Sequence, residues 1–266
     1  MWLQTSCDFT FEITVPTPFV LMLRPRSNVS QWIAYEKYKV VPSVPVFEFT
    51  DIYGNLCQRL IAPVGDFAIY TTAKVMTADV VEEAPGAPFV PIENLPDSAL
   101  IYLLPSRYCE SERFSAMAME ITADVLLGYD QVSAITNWIR NNIRFESYDS
   151  HVHVSAAEVN TRQSGVCRDL AHLAIALCRS LSIPARMVVG YLHGLEPMDL
   201  HAWFEVYVGD RWYAFDATQA GMRAGYVIIG YGRDAADVAV YNQYGPALYP
   251  ISQTVRVLQI SDNSSI

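Results

Sequence analysis

The chain has 266 residues, 52% hydrophobic and 17% charged, with a formal net charge of -10. That length holds one large domain or two small ones with ample core, and the charged share is below the about 25% usual for soluble domains. The acidic balance and the scattered lysines and arginines argue against a nucleic-acid binder, which needs a basic stripe.

Residues 1 to 82 read as β structure. Phe9 to Val15 is β-branched and aromatic, Val44 to Thr50 alternates, and Asp51 to Asn55 is a turn signal that returns Leu56 to Ile61 as a second strand. Phe67 to Val75 follows. Phe19 to Leu23 is apolar but short and framed by Pro16, Pro18 and Pro25, so neither a leader nor a membrane span is expected. Glu83 to Pro105 carries five prolines and reads as a linker. The expected division is therefore residues 1–104, an N-terminal β domain with its proline-rich linker, and residues 105–266, a second domain of mixed α and β.

Within that second part, Phe114 to Leu127 suits a helix, and Asp130 can cap another that carries Val132, Ile135, Trp138 and Ile139 on one stripe. Ala156 to Arg162 suits a short helix. Cys167 to Leu181 is apolar nearly all round, which predicts a buried helix. Ala185 to Leu192 is a strand, and two more flank Gly209-Asp210.

Five cysteines are dispersed: Cys7, Cys57, Cys109, Cys167 and Cys178. No C-x-x-C pair exists, so neither a zinc site nor a redox pair is expected, and reduced thiols fit a cytoplasmic location. Cys167 differs from the rest by its place. It follows Gly165 at a helix start, where unpartnered N–H groups and the helix dipole favour a thiolate. Gly165 is expected to supply a positive φ there.

His201, Trp203, Glu205 and Tyr207 share one strand face. A two-residue turn at Gly209-Asp210 sets Trp203 opposite Asp216, so His201 and Asp216 become diagonal neighbours on one face. A carboxylate there fixes the imidazole tautomer. Taken singly, each residue also fits a structural part: a buried helix-start thiol, or a buried His–Asp bond. Together they supply a nucleophile, a base and an orienter. The Cys167 N–H is the first oxyanion donor expected; Gln163, Trp138 and Tyr148 are candidates for the second.

The runs Gly165-Val166-Cys167-Arg168-Asp169-Leu170-Ala171-His172-Leu173, Ile183-Pro184-Ala185-Arg186, Gly190-Tyr191, His201-Ala202-Trp203 and Phe215-Asp216-Ala217-Thr218 resemble the core of the transglutaminase-like superfamily. The resemblance is closer to its bacterial branch, assigned as cysteine proteases, in which a β domain precedes the core. It covers about Ser106 to Asp237, where Gly232-Arg233-Asp234 with Asp237 resembles the branch's C-terminal signature. It implies an α+β fold: a papain-like transglutaminase core, a central helix packed on an antiparallel sheet, after a small all-β domain. It also implies catalytic roles for Cys167 as nucleophile, His201 as general base and acid, and Asp216 as orienter. Three departures stand out. Ala217 replaces the usual proline, Glu146 to Ser155 is atypical, and Gly225-Tyr226-Val227 occupies a region where relatives often carry a histidine.

The remaining candidates read as structural. His172 sits about 140° round the helix from Cys167 and suits a satisfied core histidine. Asp169 suits the first helical turn, Arg186 an ion pair, and Trp203 the core or a cleft wall. His151 and His153 lack a ligand cluster and suit a solvated loop. The function expected is thiol-dependent acyl transfer on peptide or amide bonds, foremost hydrolysis, without cofactor, metal or calcium. Amine-accepting transglutamination, a binding or scaffold module that retains the three residues, and a peptide-processing role in a multi-protein system are the alternatives. The partners expected are a peptide or protein substrate and, through the edge strands of the β domain, a second copy or another protein.

Overall fold

Residues 2–13 alternate so that Leu3, Thr5, Cys7, Phe9, Phe11 and Ile13 point inward, and this pattern seeds the N-terminal half. The computed structural model describes residues 1–146 and 153–261; Tyr148 and His151 lie outside the described residues. The strands in chain order are β1 (Trp2–Ile13), β2 (Thr17–Leu21), β3 (Gln31–Val41), β4 (Phe47–Thr50), β5 (Leu56–Ala62) and β6 (Gly65–Thr77). β1, β6 and β3 form one antiparallel sheet, and β2, β5 and β4 form another. Phe11 and Phe19 bring their rings to 5.4 Å in the core between them. The alternation expected for Val44 to Thr50 shrinks to β4, whose four residues are all exposed because β4 is an edge. β2 and β3 were not expected: prolines bound the first, and the second is rich in charged and tyrosine side chains.

The proline-rich segment is packed rather than extended. It forms α1 (Asp97–Leu100) between short 3-10 turns, and Val90, Leu95, Ala99 and Tyr102 are buried. Tyr102 meets Trp212 edge-on at 5.4 Å.

The second half contains α2 (Ser115–Ile121), α3 (Tyr129–Asn142), β7 (Arg144–Phe145), α4 (Ala156–Arg162), β8 (Ser164–Gly165) and α5 (Cys167–Ser180). β9 (Ala185–Leu192), β10 (His201–Val208), β11 (Arg211–Phe215) and β12 (Tyr226–Gly232) then make an antiparallel sheet in the order β11-β10-β9-β12. α5 packs on that sheet, with every residue from Asp169 to Arg179 buried, as the apolar run predicts. The mixed α and β architecture is the one expected. α3 starts earlier than expected, with Gly128 at its cap, and Asp130 instead accepts the Gly86 N–H at 3.2 Å.

The chain then turns back. β13 (Tyr241–Gln243) pairs with β2, and β14 (Ser252–Gln259) pairs with β1 along its length. Residues from the C-terminal stretch thus complete both N-terminal sheets. A second tie is made by side chains. The buried Gln31 amide exchanges two hydrogen bonds with the Ile228 backbone at 2.7 Å, and Asn55 does the same with Tyr231 at 2.7 and 2.8 Å. These amides fill the outer edge of β12 as a neighbouring strand would. Among the described residues, no helix is long and apolar enough to cross a membrane.

Candidate active site

The approach to Cys167 is fixed before the helix begins. β8 pairs in parallel with β7, and the Glu146 N–H donates to the Gly165 carbonyl at 2.9 Å. Cys167 is the first residue of α5, and Asp169 accepts the Val166 N–H at 3.2 Å, which closes the helix start. Asp169 therefore caps, as expected, and Arg168 donates to its other oxygen at 3.2 Å. Burial pushes the Asp169 carboxyl up, against the pull of Arg168. The expected positive φ at Gly165 is not adopted. The glycine answers a different need, because a Cβ there would lie 2.8 Å from the Asp169 Cβ. Close approach, not backbone handedness, excludes a side chain.

The first helical N–H groups have no carbonyl four residues back, so the Cys167 N–H points out of the helix end without an intrahelical partner. Cys167 is half-buried, and the other four cysteines are buried. Burial pushes the Cys57 thiol up to about 11 and raises those of Cys7, Cys109 and Cys178 further.

His201 opens β10 opposite Gly190. A Cβ on Gly190 would fall 1.9 Å from the Val227 carbonyl oxygen and 2.9 Å from the Trp203 ring. The bare backbone there lets β12 and the Trp203 ring close on β9, the strand beside the one that carries the imidazole. The turn has two residues, with φ of 54° at Gly209 and 66° at Asp210, the primed form that suits strand twist. The register runs from Val208↔Arg211 to Phe204↔Phe215, so the expected parity is present. His201 and Asp216 meet through Nε2 and Oδ2 at 2.6 Å, both 2% exposed. With Nε2 taken, Nδ1 is the nitrogen left for the Cys167 thiol, which also interacts with the ring.

The charge balance follows from these contacts. Burial disfavours the charged imidazole, but hydrogen bonds and attraction from Asp216 and Cys167 outweigh it, and the His201 pKa is pushed up to about 10. Burial works against the Asp216 carboxylate too, yet His201 and Thr218 hold it below the usual carboxylate range. Thr218 gives Oδ1 two donors, its N–H at 2.8 Å and its hydroxyl at 2.7 Å. Tyr226 donates its hydroxyl to Oδ2 at 2.8 Å. Arg140 reaches from α3 to the Asp216 carbonyl at 3.1 Å. Trp203 is buried, stacks on His201 at 6.0 Å and meets Tyr226 edge-on at 4.9 Å. It is a wall of the site, as expected.

Sequence placed Thr218 in a matching run and Tyr226 in a departing one, but gave neither a role in the site. Thr218 follows Asp216 by two, the spacing of an Asx turn, so a local signal existed. Tyr226 had none, because β12 joins the sheet beside β9 rather than beside its chain neighbour.

The other expectations divide. The Gln163 side chain donates back to the Asn160 carbonyl on its own helix, not toward Cys167. Trp138 packs partly buried against the core. His172 is fully buried: Nδ1 donates to the Val154 carbonyl at 3.0 Å, and Nε2 accepts the Ala235 N–H at 3.2 Å. Burial holds it neutral, with a pKa lowered to about 3, as a satisfied core histidine requires. His153 is not the solvated loop residue expected. It packs edge-on against Tyr108 at 5.4 Å, Tyr108 stacks on His172, and burial lowers the His153 pKa to about 4. Arg186 pairs with Glu205 at 2.5 and 2.8 Å, between the rings of Trp212 and Tyr231.

Residues 115–217 match the family described as the transglutaminase-like superfamily. The chain is 36% identical to a putative cysteine protease from Cytophaga hutchinsonii and superposes on its crystal structure with a TM-score of 0.91, covering 100% of this chain and 92% of that one. It is 27% identical over 251 residues to an uncharacterised protein of Mycobacterium leprae, covering 88% of each chain. An uncharacterised protein of Mycobacterium tuberculosis is 30% identical over 115 residues, 38% of this chain and 37% of its own.

Proposed function

The chain belongs to the transglutaminase-like superfamily, and on that premise we propose that it is a thiol-dependent acyl-transfer enzyme acting on peptide or amide bonds, with Cys167, His201 and Asp216 as its catalytic residues. The observation that carries this reading is the buried His201 ring, which interacts with the Cys167 thiol and, through Nε2, with Asp216.

In this reading the thiol proton passes to the imidazole, and the sulfur attacks the amide carbonyl carbon. The Cys167 N–H receives the developing oxyanion. The imidazolium then gives its proton to the leaving nitrogen as the C–N bond breaks, and a thioester remains. Water attacks the thioester with His201 as base, releasing a carboxylic acid and restoring the thiol. Asp216, held by three protein donors besides His201, keeps the ring oriented through the cycle. The Cytophaga hutchinsonii protein's description as a putative cysteine protease supports the hydrolytic outcome. The dispersed, unpaired cysteines suit a reducing compartment, and we place the protein in the cytoplasm.

Alkylation tests the thiol's part. Iodoacetamide at neutral pH should modify Cys167 first, since the other thiols are buried and their pKa values are raised. His201→Ala should slow that modification at least tenfold while the protein stays folded. Equal labelling of all five cysteines, or an unchanged rate in His201→Ala, would remove the proposed pair.

A further inference from the structure

A cleft of about 260 Å³ lies along the outer edge of β12, where segments of the N-terminal half meet the β11-β10-β9-β12 sheet. Arg26, Ser27, Asn28 and Tyr53 wall one side, and Ile228 and Tyr231 the other. The lining is rich in donors. Ser27 Oγ accepts the Ile33 N–H at 3.0 Å, which leaves the hydroxyl proton free to point elsewhere. The Tyr231 hydroxyl receives Asn28 Nδ2 at 3.4 Å, and burial keeps that phenol protonated.

Negative charge is missing from the same walls. Among the described residues, no acidic one lines the cleft. Two carboxylates that bond to lining residues have their oxygens occupied: Asp51 accepts the N–H groups of Tyr53 and Asn55, and Asp237 is held by Arg233 and the Tyr53 hydroxyl. Arg26 donates to the Gly54 carbonyl, and no carboxylate among the described residues pairs with it. In a chain of net charge -10, a guanidinium without an acidic partner in a donor-lined cleft is an anion receptor in form.

The cleft and the candidate active site share β12. Ile228 lies two residues from Tyr226 on the same strand, about 7 Å along it, with both side chains on one face. The Tyr226 hydroxyl touches Asp216. An extended peptide advances about 3.4 Å per residue, so a chain crossing the site would reach the cleft within a few residues of the bond attacked.

We propose that this cleft is a substrate subsite that receives a side-chain carboxylate of an acidic peptide through Arg26, supported by Ser27, Asn28 and Tyr231. The proposal rests on the reading of the protein as an enzyme of peptide bonds, and it names the class of peptide.

Binding separates the two ideas because it needs no turnover. Blocked hexapeptides alternating alanine with glutamate, or alanine with glutamine, would be titrated into the full-length Cys167→Ala protein by calorimetry. The glutamate peptide should bind at least tenfold more tightly, with the preference falling in 0.5 M salt. Arg26→Ala should abolish the preference, and Arg26→Lys should retain part of it. Equal affinities, no binding of either peptide, or a preference that survives Arg26→Ala would overturn the subsite. Alkylation of Cys167 in the unmodified protein reports on the thiol alone: normal labelling there, together with equal binding of the two peptides by the Cys167→Ala protein that retains Arg26, sinks the subsite and leaves the proposed activity standing.

Discussion

A single carboxylate, Asp216, organises the candidate site. Its two oxygens receive His201, Tyr226 and both donors of Thr218, so its position is over-determined before any substrate arrives. Tyr226 acts on the imidazole through Asp216 and is a positioning residue. Tyr226→Phe removes one donor to a buried carboxylate, a loss of about 1–2 kcal/mol. Alkylation of Cys167 should slow about five- to tenfold, and the His201 titration midpoint should move, while the circular dichroism spectrum stays unchanged. An unaltered rate and midpoint would make the hydroxyl a packing detail. The facing of His201 and Asp216 was legible because a two-residue turn transmits parity over a short hairpin. Tyr226 was not, since its partner strand is 34 residues upstream by the Tyr226↔Leu192 pairing. Gly165 was legible as a constraint but not as to kind: sequence records that a side chain is missing, not whether φ or a neighbour forbids it.

Among the elements, α5 was the most legible, because an unbroken apolar run leaves a helix no face to expose. What anchors its far end was not. Arg179 is 4% exposed, and its hydrogen bonds among the described residues run to backbone carbonyls and a hydroxyl. It donates to the carbonyls of Ala185, Leu104 and Arg233 and to the Ser106 hydroxyl, all between 2.7 and 3.1 Å. One guanidinium thus ties α5 to the start of β9, the proline-rich segment and the chain after β12. Arg179→Leu should cost about 3 kcal/mol or more, since each of those buried acceptors loses a donor. Urea unfolding would measure it, and a loss under 1 kcal/mol would contradict the anchor. The strands β2, β3 and β12 escaped prediction for a common reason. Their residues are proline-flanked, charged or glycine-containing, and they are strands because distant partners hold them, not because of local propensity.

At the scale of the molecule, the chain's return is what sequence could not supply. β13 and β14 lack a distinctive pattern, yet they complete the sheets begun by β2 and β1. The Gln31 and Asn55 amides fasten the two halves along β12. Buried histidines make the fold sensitive to acid. His172 is held neutral to about pH 3, whereas in the unfolded chain it titrates near 6.5. Between those values the unfolded state binds a proton that the folded state refuses, so stability falls by about 1.4 kcal/mol per unit as pH drops. His153 adds a smaller share from its pKa of about 4. His201 carries its proton in both states below pH 6.5, so it adds no slope there; its stabilising share is lost as pH rises toward about 10. Thermal midpoints should therefore decline from pH 6.5 to 4, and His172→Asn should flatten that decline. A flat profile in the unmodified protein would contradict the burial of neutral histidine. The central claim, acyl transfer through Cys167, is tested most directly by intact-protein mass spectrometry after exposure to a peptide library, with and without a primary amine. The account predicts a transient acyl adduct on Cys167 that is absent in Cys167→Ala, with free acid as the product even when amine is present. No adduct and no cleaved peptide under any condition would contradict it.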